Sequence, residues 1–277
     1  MKNICVAIML LSFNAFAQEV VKYDFKAIDG NKESLEAVIR IPKADARNKA
    51  VIILHHWGGW GVGDTAQYAE YFSKNGYVTL EPRLFNYRVR SALPFLAPTF
   101  GALSYLSSHP SVDKDNIFLM GLSFGGILTI FSATDWANKQ FGDGVNRFKS
   151  FAPLYPVCWL HTKMIKRQFQ HTYPKDFEDK WVESPMKIFA GGQDDYDDRD
   201  PNACNEFIES IPDPKQKAVT SVQVYAGATH GWDQTSSSFK EPVFGCKGRG
   251  CMNTNTNDPT VTARAKEDLL TFFNEGK

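Results

Sequence analysis

Ile117-Phe118-Leu119-Met120-Gly121-Leu122-Ser123-Phe124-Gly125-Gly126 runs an apolar strand into a Gly-x-Ser-x-Gly turn, and the helix-compatible Ile127-Leu128-Thr129-Ile130-Phe131 follows. A turn this tight leaves no room for side chains beside the serine, which is the role of the glycines. Ser123 then sits on a strained backbone with its hydroxyl projected above a sheet, the posture of a nucleophile. A serine hydroxyl attacks poorly unless a base takes its proton, and that base needs an acid to hold its tautomer.

Both partners are sought downstream, each on a loop after a strand. Three of the six histidines follow Ser123. His230 comes after Val222-Gln223-Val224-Tyr225, in the loop opened by Ala226-Gly227-Ala228-Thr229, whereas His161 and His171 lie in a basic, aromatic segment with no strand before them. His230 is therefore the expected base. For the acid, Ile188-Phe189-Ala190 leads into a loop, Gly191 to Asp200, that carries five aspartates. Asp194 and Asp195 lie nearest the strand end, where a fixed backbone aims a carboxylate, and the residues alone leave both open. Asp195, Asp197 and Glu206 also fall at positions one, three and twelve of a calcium loop, but Arg199 and Asp200 replace the ligand and the glycine required at five and six. A developing oxyanion needs two backbone N–H donors. One is expected from Phe124, the other from the Gly-rich loop His55-His56-Trp57-Gly58-Gly59-Trp60-Gly61 after a strand ending at Leu54. His55 and His56 lack a third ligand at metal-binding spacing, so neither metal nor cofactor is expected.

The N-terminus has its own signature. Lys2, the apolar run Ile4 to Leu11 and Ala15-Phe16-Ala17 form the three parts of a secretory signal, with cleavage expected before Gln18. The apolar run is far short of the roughly 20 residues of a spanning helix. Residues 18–277 are expected to form one domain, with no linker or repeat to divide it. Basic and acidic residues number 31 each, a balance that points away from nucleic-acid or membrane-surface partners. Cys5 falls in the signal, which leaves Cys158, Cys204, Cys246 and Cys251. An even set in an exported chain implies two disulfides. Cys246 and Cys251 bracket a short Gly-rich loop that can close on itself and leave Cys158 with Cys204, with the other pairings open.

Periodicity supplies the frame. Val20–Ile28 and Ser34–Ile41 read as an N-terminal β-hairpin around Asp29-Gly30-Asn31, and Ala50–Leu54 as a strand buried on both faces. Tyr77–Leu80, Ile117–Met120, Phe148–Tyr155, Met186–Ala190 and Val219–Tyr225 read as further strands. Between them, Thr65–Lys74, Phe100–Ser107, Phe124–Ala137, Pro201–Ile211 and Asp258–Phe273 read as helices. Alternating strands and helices predict an α/β fold with a mostly parallel central sheet and helices on both faces. Gln234–Asn257 is polar and reads as an irregular excursion near the site.

With these residues in place, the chain resembles the dienelactone hydrolase family of α/β-hydrolases, in its exported bacterial branch. The resemblance spans nearly all of residues 18–277. It rests on Ile53-Leu54-His55-His56-Trp57-Gly58-Gly59, Asn75-Gly76-Tyr77-Val78, Val112-Asp113, Gly121 to Gly126, Tyr155-Pro156-Val157-Cys158, Gly191 to Asp195, and Tyr225 to His230. It implies the α/β-hydrolase fold, Asp194 as the acid, the Trp57 N–H as the second oxyanion donor, and a Cys158–Cys204 link. Three departures stand out. The name-giving enzymes carry cysteine where this chain has Ser123, their substrate-holding arginines have no assured match among Arg83, Arg88 and Arg90, and His56 stands where many members have glycine.

The expected activity is hydrolysis of a small-molecule carboxylic ester through Ser123, His230 and Asp194, in a periplasmic or secreted protein. A peptidase, thioesterase or acyltransferase would use the same triad. A secreted binding module of hydrolase fold is the non-catalytic alternative. Trp57, Trp60, Trp159 and Trp232 all fall in segments expected near the site.

Overall fold

A computed structural model describes residues 16–44, 46–62, 64–88, 91–168, 173–236 and 238–275. One sheet is built from β1 (Phe16–Lys26), β2 (Lys32–Pro42), β3 (Lys49–Leu54), β4 (Tyr77–Pro82), β5 (Ile117–Leu122), β6 (Phe151–Leu154), β7 (Met186–Gly191) and β8 (Thr220–Tyr225). Their spatial order is β1-β2-β4-β3-β5-β6-β7-β8. The hairpin β1–β2 is antiparallel and joins β4 antiparallel, while β4 through β8 pair in parallel. Of the expected signal segment, residues 1–15 lie outside the described residues. Phe16 and Ala17 begin β1, opposite Pro42 and Ile41.

The helices are α1 (Asp64–Lys74), α2 (Ala92–Ser107), α3 (Phe124–Ser132), α4 (Asp135–Phe141), α5 (Cys158–Ile165), α6 (Ala203–Ser210), α7 (Pro214–Ala218) and α8 (Pro259–Glu275). Strand side chains alternate between two cores. Val51, Ile53, Phe118 and Met120 pack with Tyr68 and Phe72 of α1 and Leu269 and Phe273 of α8. Ala50, Ile52, Leu54, Ile117 and Leu119 face the other way, onto α2 and α3. Burial on both faces is what makes β3 and β5 unbroken apolar runs.

Four expected elements differ. Helix α2 starts at Ala92, eight residues before the expected Phe100. Pro94 sits in its first turn, where no intrahelical N–H is lost, and burial of Phe95, Leu96 and Phe100 offsets the one bond forfeited at Pro98. The expected helix Phe124–Ala137 is two helices, because Thr134 caps α4 by accepting from the Ala137 N–H. The strand expected over Phe148–Tyr155 is confined to Phe151–Leu154, and the chain turns left-handed at Tyr155 and Val157. Gln234–Asn257 is not irregular throughout: it holds a two-stranded hairpin, β9 (Phe239–Val243) with β10 (Cys251–Asn255). β9 is largely exposed and the buried positions of β10 are Asn253 and Asn255, so neither strand carries an apolar period to read.

Both favoured disulfides are present, Cys158–Cys204 between α5 and α6 and Cys246–Cys251 across the β9–β10 turn. The second closes a loop of only a few residues, so it restricts the unfolded chain little. Replacing both of its cysteines by serine is expected to cost about 2 kcal/mol in urea melts; a loss above twice that would mean the bond also carries the fold of the hairpin. Among the described residues no helix is long and apolar enough to cross a membrane.

Candidate active site

The carboxyl ends of β3, β5, β7 and β8 converge on one cleft. Ser123 links β5 to α3 with φ 50° and ψ −108°. Its N–H donates to the Leu154 carbonyl (3.0 Å), and its own carbonyl accepts from Ile127 (2.9 Å), so the strained turn is held from both sides. A Cβ at Gly121 would strike the Gly125 carbonyl, and one at Gly125 would strike the Leu54 carbonyl of β3. These contacts are the physical reason for both glycines.

Three side chains from separate loops then form one chain of hydrogen bonds. The Ser123 hydroxyl donates to His230 Nε2 (2.7 Å), and His230 Nδ1–H donates to Asp194 Oδ2 (2.8 Å). Asp194 is 2% exposed, and its Oδ1 accepts the Tyr196 N–H (2.8 Å). The Tyr196 ring lies 4.2 Å from the imidazole and Tyr155 packs edge-on behind it at 4.9 Å, which fixes the ring plane. Asp195 points elsewhere: it accepts from Arg199 Nε (2.7 Å) and from the Thr254 N–H of β10 (2.8 Å). Asp197 is buried and accepts the N–H groups of Cys158 and Trp159 at the start of α5 (3.1 and 2.8 Å). Burial and the neighbouring Asp194 charge push its carboxyl up to about 7, against the pull of those N–H groups and of His230. The remaining loop aspartates bind cations of the roof, Asp200 to Lys247 and Asp198 to Arg249 (2.7 Å each). The acidic loop is thus a clamp on the β9–β10 hairpin. Among the described residues the one cluster of three potential metal ligands, Cys158, Asp197 and Cys204, has both sulfurs joined in a disulfide.

The β3–α1 loop forms the opposite wall. His55 is buried, and burial pushes its imidazole down to about 4. Neutral, it donates Nδ1–H to the His56 carbonyl (2.8 Å) and meets Phe85 edge-on. Trp57, 59% exposed, packs on Phe85 and Phe124 and lines the cleft. The Phe124 N–H is the first of α3 and so has no acceptor within the helix.

The cleft above Ser123 has a volume of about 640 Å³. Ser123, His230 and Trp57 line its floor, and Phe239, Val243 and Phe244 line the hairpin side that roofs it. No lysine or arginine is among the described residues lining it.

Comparison with known proteins matches residues 38–156 to the BD-FAE family model. No curated protein matches. Among solved structures, a protein assigned as a dienelactone hydrolase from Klebsiella pneumoniae subsp. pneumoniae superposes with a TM-score of 0.60 at 15% identity, over 92% of this chain and 98% of that one. Esterase 2 of Thermogutta terrifontis, seen phosphoramylated by tabun, gives 0.58 at 18% identity, over 91% and 93%. An esterase of Pyrococcus furiosus gives 0.54 at 15% identity, over 78% and 85%.

The chain has the α/β-hydrolase fold. Within this fold, some residues expected near the site lie away from it. Of the four tryptophans only Trp57 lines the cleft. Trp232 is fully buried between Tyr155 and Tyr225, Trp60 lies under the Arg83 guanidinium at 4.4 Å, and Trp159 packs against Phe244. Arg83 pairs with Glu36, and Arg88 with Asp29 and Glu33; Arg90 lies outside the described residues, as does His171. His161 is buried beside Glu178 at 3.5 Å. Sequence reasoning missed Tyr196 and Asp233. Asp233 lies buried behind His230, accepts the hydroxyls of Tyr68 and Tyr155 (2.5 and 2.6 Å), and burial raises its carboxyl. The one sequence signal for it was its position three residues after His230.

Proposed function

We propose that the chain is an exported serine hydrolase that cleaves carboxylic esters, with Ser123 as nucleophile, His230 as general base and acid, and Asp194 as the group that orients His230. The observation that carries this reading is the Ser123–His230–Asp194 hydrogen-bond chain at 2.7 and 2.8 Å, mounted on a positive-φ elbow. His230 Nε2 takes the Ser123 proton as Oγ attacks the ester carbonyl. The charge that collects on the carbonyl oxygen is met by the N–H groups of Trp57 and Phe124. Collapse expels the alcohol, which leaves with the proton from His230. Water then attacks the acyl-enzyme by the same base catalysis, and Ser123 regains its hydrogen as the acid departs. Asp194 keeps Nδ1 protonated throughout and offsets the charge of the imidazolium.

The cleft favours uncharged esters, since among the described residues no lysine or arginine lines it to hold a substrate carboxylate. Disulfides at all four cysteines after residue 17 support export, because such bonds persist in oxidising compartments. The substrate is expected to be a small-molecule ester, with neither metal nor cofactor taking part.

A fluorophosphonate probe and the p-nitrophenyl esters of acetate and butyrate test this reading. Stoichiometric labelling located on the Ser123 peptide, with both esters turned over, is the expected result. A folded protein that neither labels nor turns over ester would be a binding module instead. Matched thioester and amide substrates turned over faster than the ester would move the assignment to those bonds.

A further inference from the structure

The wall of the cleft opposite His230 carries a second histidine–aspartate pair, one that the proposed ester hydrolysis does not use. His56 Nε2 lies 2.7 Å from Asp64 Oδ2, and His56 Nδ1 lies 2.9 Å from the Gly58 N. A backbone N–H can only donate, so Nδ1 is the acceptor, and the neutral ring must carry its hydrogen on Nε2 and give it to Asp64. Asp64, at the start of α1, is held below the usual carboxylate range: burial works against ionisation, but hydrogen bonds from His56 and Thr235 outweigh it. Its other oxygen accepts both the N–H and the hydroxyl of Thr235 (2.8 and 2.9 Å), at the root of the roof.

The bond from Gly58 N–H to a side chain two residues earlier is the geometry of an Asx-turn, made here by an imidazole. It spans Trp57, whose N–H is the proposed second oxyanion donor. The His56 ring folds so closely over Gly58 that a Cβ there would collide with it, and the Gly59 N–H returns to the His56 carbonyl (3.0 Å). Both peptides after Trp57 are thereby tied to His56, and His56 is tied to the start of α1.

We propose that His56 is a positioning residue: clamped by Asp64, it holds the Trp57 peptide in the orientation that presents its N–H to the oxyanion. His56 transfers no proton in the reaction. The inference rests on the ester-hydrolase reading, and it assigns a role to the position where many members of the resembled family carry glycine.

His56→Ala, His56→Asn and His56→Gln separate its two bonds. Asparagine sets Oδ1 where Nδ1 lies and keeps an acceptor for Gly58, whereas glutamine reaches Asp64 and loses that acceptor. His56→Ala and His56→Gln are expected to lower kcat for p-nitrophenyl acetate and the rate of fluorophosphonate labelling by 10- to 100-fold. KM and the thermal midpoint should move little; full loss of one oxyanion donor costs about 100- to 1,000-fold. His56→Asn should recover most of the lost kcat. Wild-type kcat in His56→Ala overturns the proposal, and so does a His56→Asn variant as slow as His56→Ala. The ring ¹⁵N shifts of His56 in the wild type give a readout independent of turnover. An Nε2–H tautomer is expected, and an Nδ1–H tautomer overturns the inference even if the protein proves not to hydrolyse esters. A wild type that fails to label strikes at the hydrolase reading alone.

Discussion

Asp194→Asn is expected to lower kcat for p-nitrophenyl acetate by about 10⁴-fold with no change in far-UV circular dichroism. The carboxylate can only accept, so it forces the His230 hydrogen onto Nδ1 and leaves Nε2 free to take the Ser123 proton. An amide turned so that its NH₂ faces Nδ1 donates instead. The hydrogen then moves to Nε2, where it blocks the transfer from serine. The Tyr196 N–H already occupies Oδ1, which favours keeping the amide oxygen on that side and the NH₂ toward the ring. Asp195→Asn is the informative contrast. Its partners are Arg199 and the β10 backbone at Thr254, so its loss should act on the roof, raising KM by less than about 10-fold, the scale of weakening one or two hydrogen bonds away from the reacting atoms. Steady-state kinetics of the two variants decide the matter, and a reversed order would move the orienting role to Asp195.

These adjacent aspartates show where the sequence stops being sufficient. Both follow the β7 apolar run, and no local rule distinguishes them. What separates them is the Gly191-Gly192 turn, where Gln193 N–H bonds to the Ala228 carbonyl and locks the acid loop to the loop of His230. The parallel strands were readable because burial on both faces compels continuous apolar residues. The elbow was readable because its glycines answer to backbone collisions. Helix α5 was not: its N-terminus is capped by Asp197, 39 residues further on, so no local capping signal precedes it. Nor was the β9–β10 hairpin, which is held by Asp195, Asp198 and Asp200 rather than by a hydrophobic face. The same acidic run that suggests a calcium loop by spacing is consumed by these contacts. His56 and Asp64, eight residues apart, meet only because the Gly-rich loop folds back on itself.

Asp197 supplies the second large expectation, a contribution to stability that falls as pH rises from about 4 to 7. Burial, followed by the charge of Asp194, raises its carboxyl to about 7 in the fold, against about 3.9 in an unfolded chain. Between those values the native state keeps a proton that the unfolded state has released, so each step up in pH favours unfolding. The contribution is complete below about pH 4 and gone once the pH has passed through about 7. His55, pushed down to about 4 by burial, gives the wild type an opposing slope over much of the same range, so urea melts at pH 4.5 and 8 read the Asp197 decline as a difference between the wild type and Asp197→Asn. Asp233 also has its carboxyl raised by burial and adds a slope of the same sign, so the difference between wild type and Asp197→Asn isolates the Asp197 share. In Asp197→Asn the amide oxygen still accepts one N–H of α5 and the other loses its partner, a cost that does not vary with pH. The variant should therefore be less stable than the wild type at pH 4.5 and close to it, or above it, at pH 8. Parallel curves for the two proteins would mean that Asp197 is already ionised in the fold at pH 4.5, held so by the two N–H groups of α5 and by His230 despite its burial.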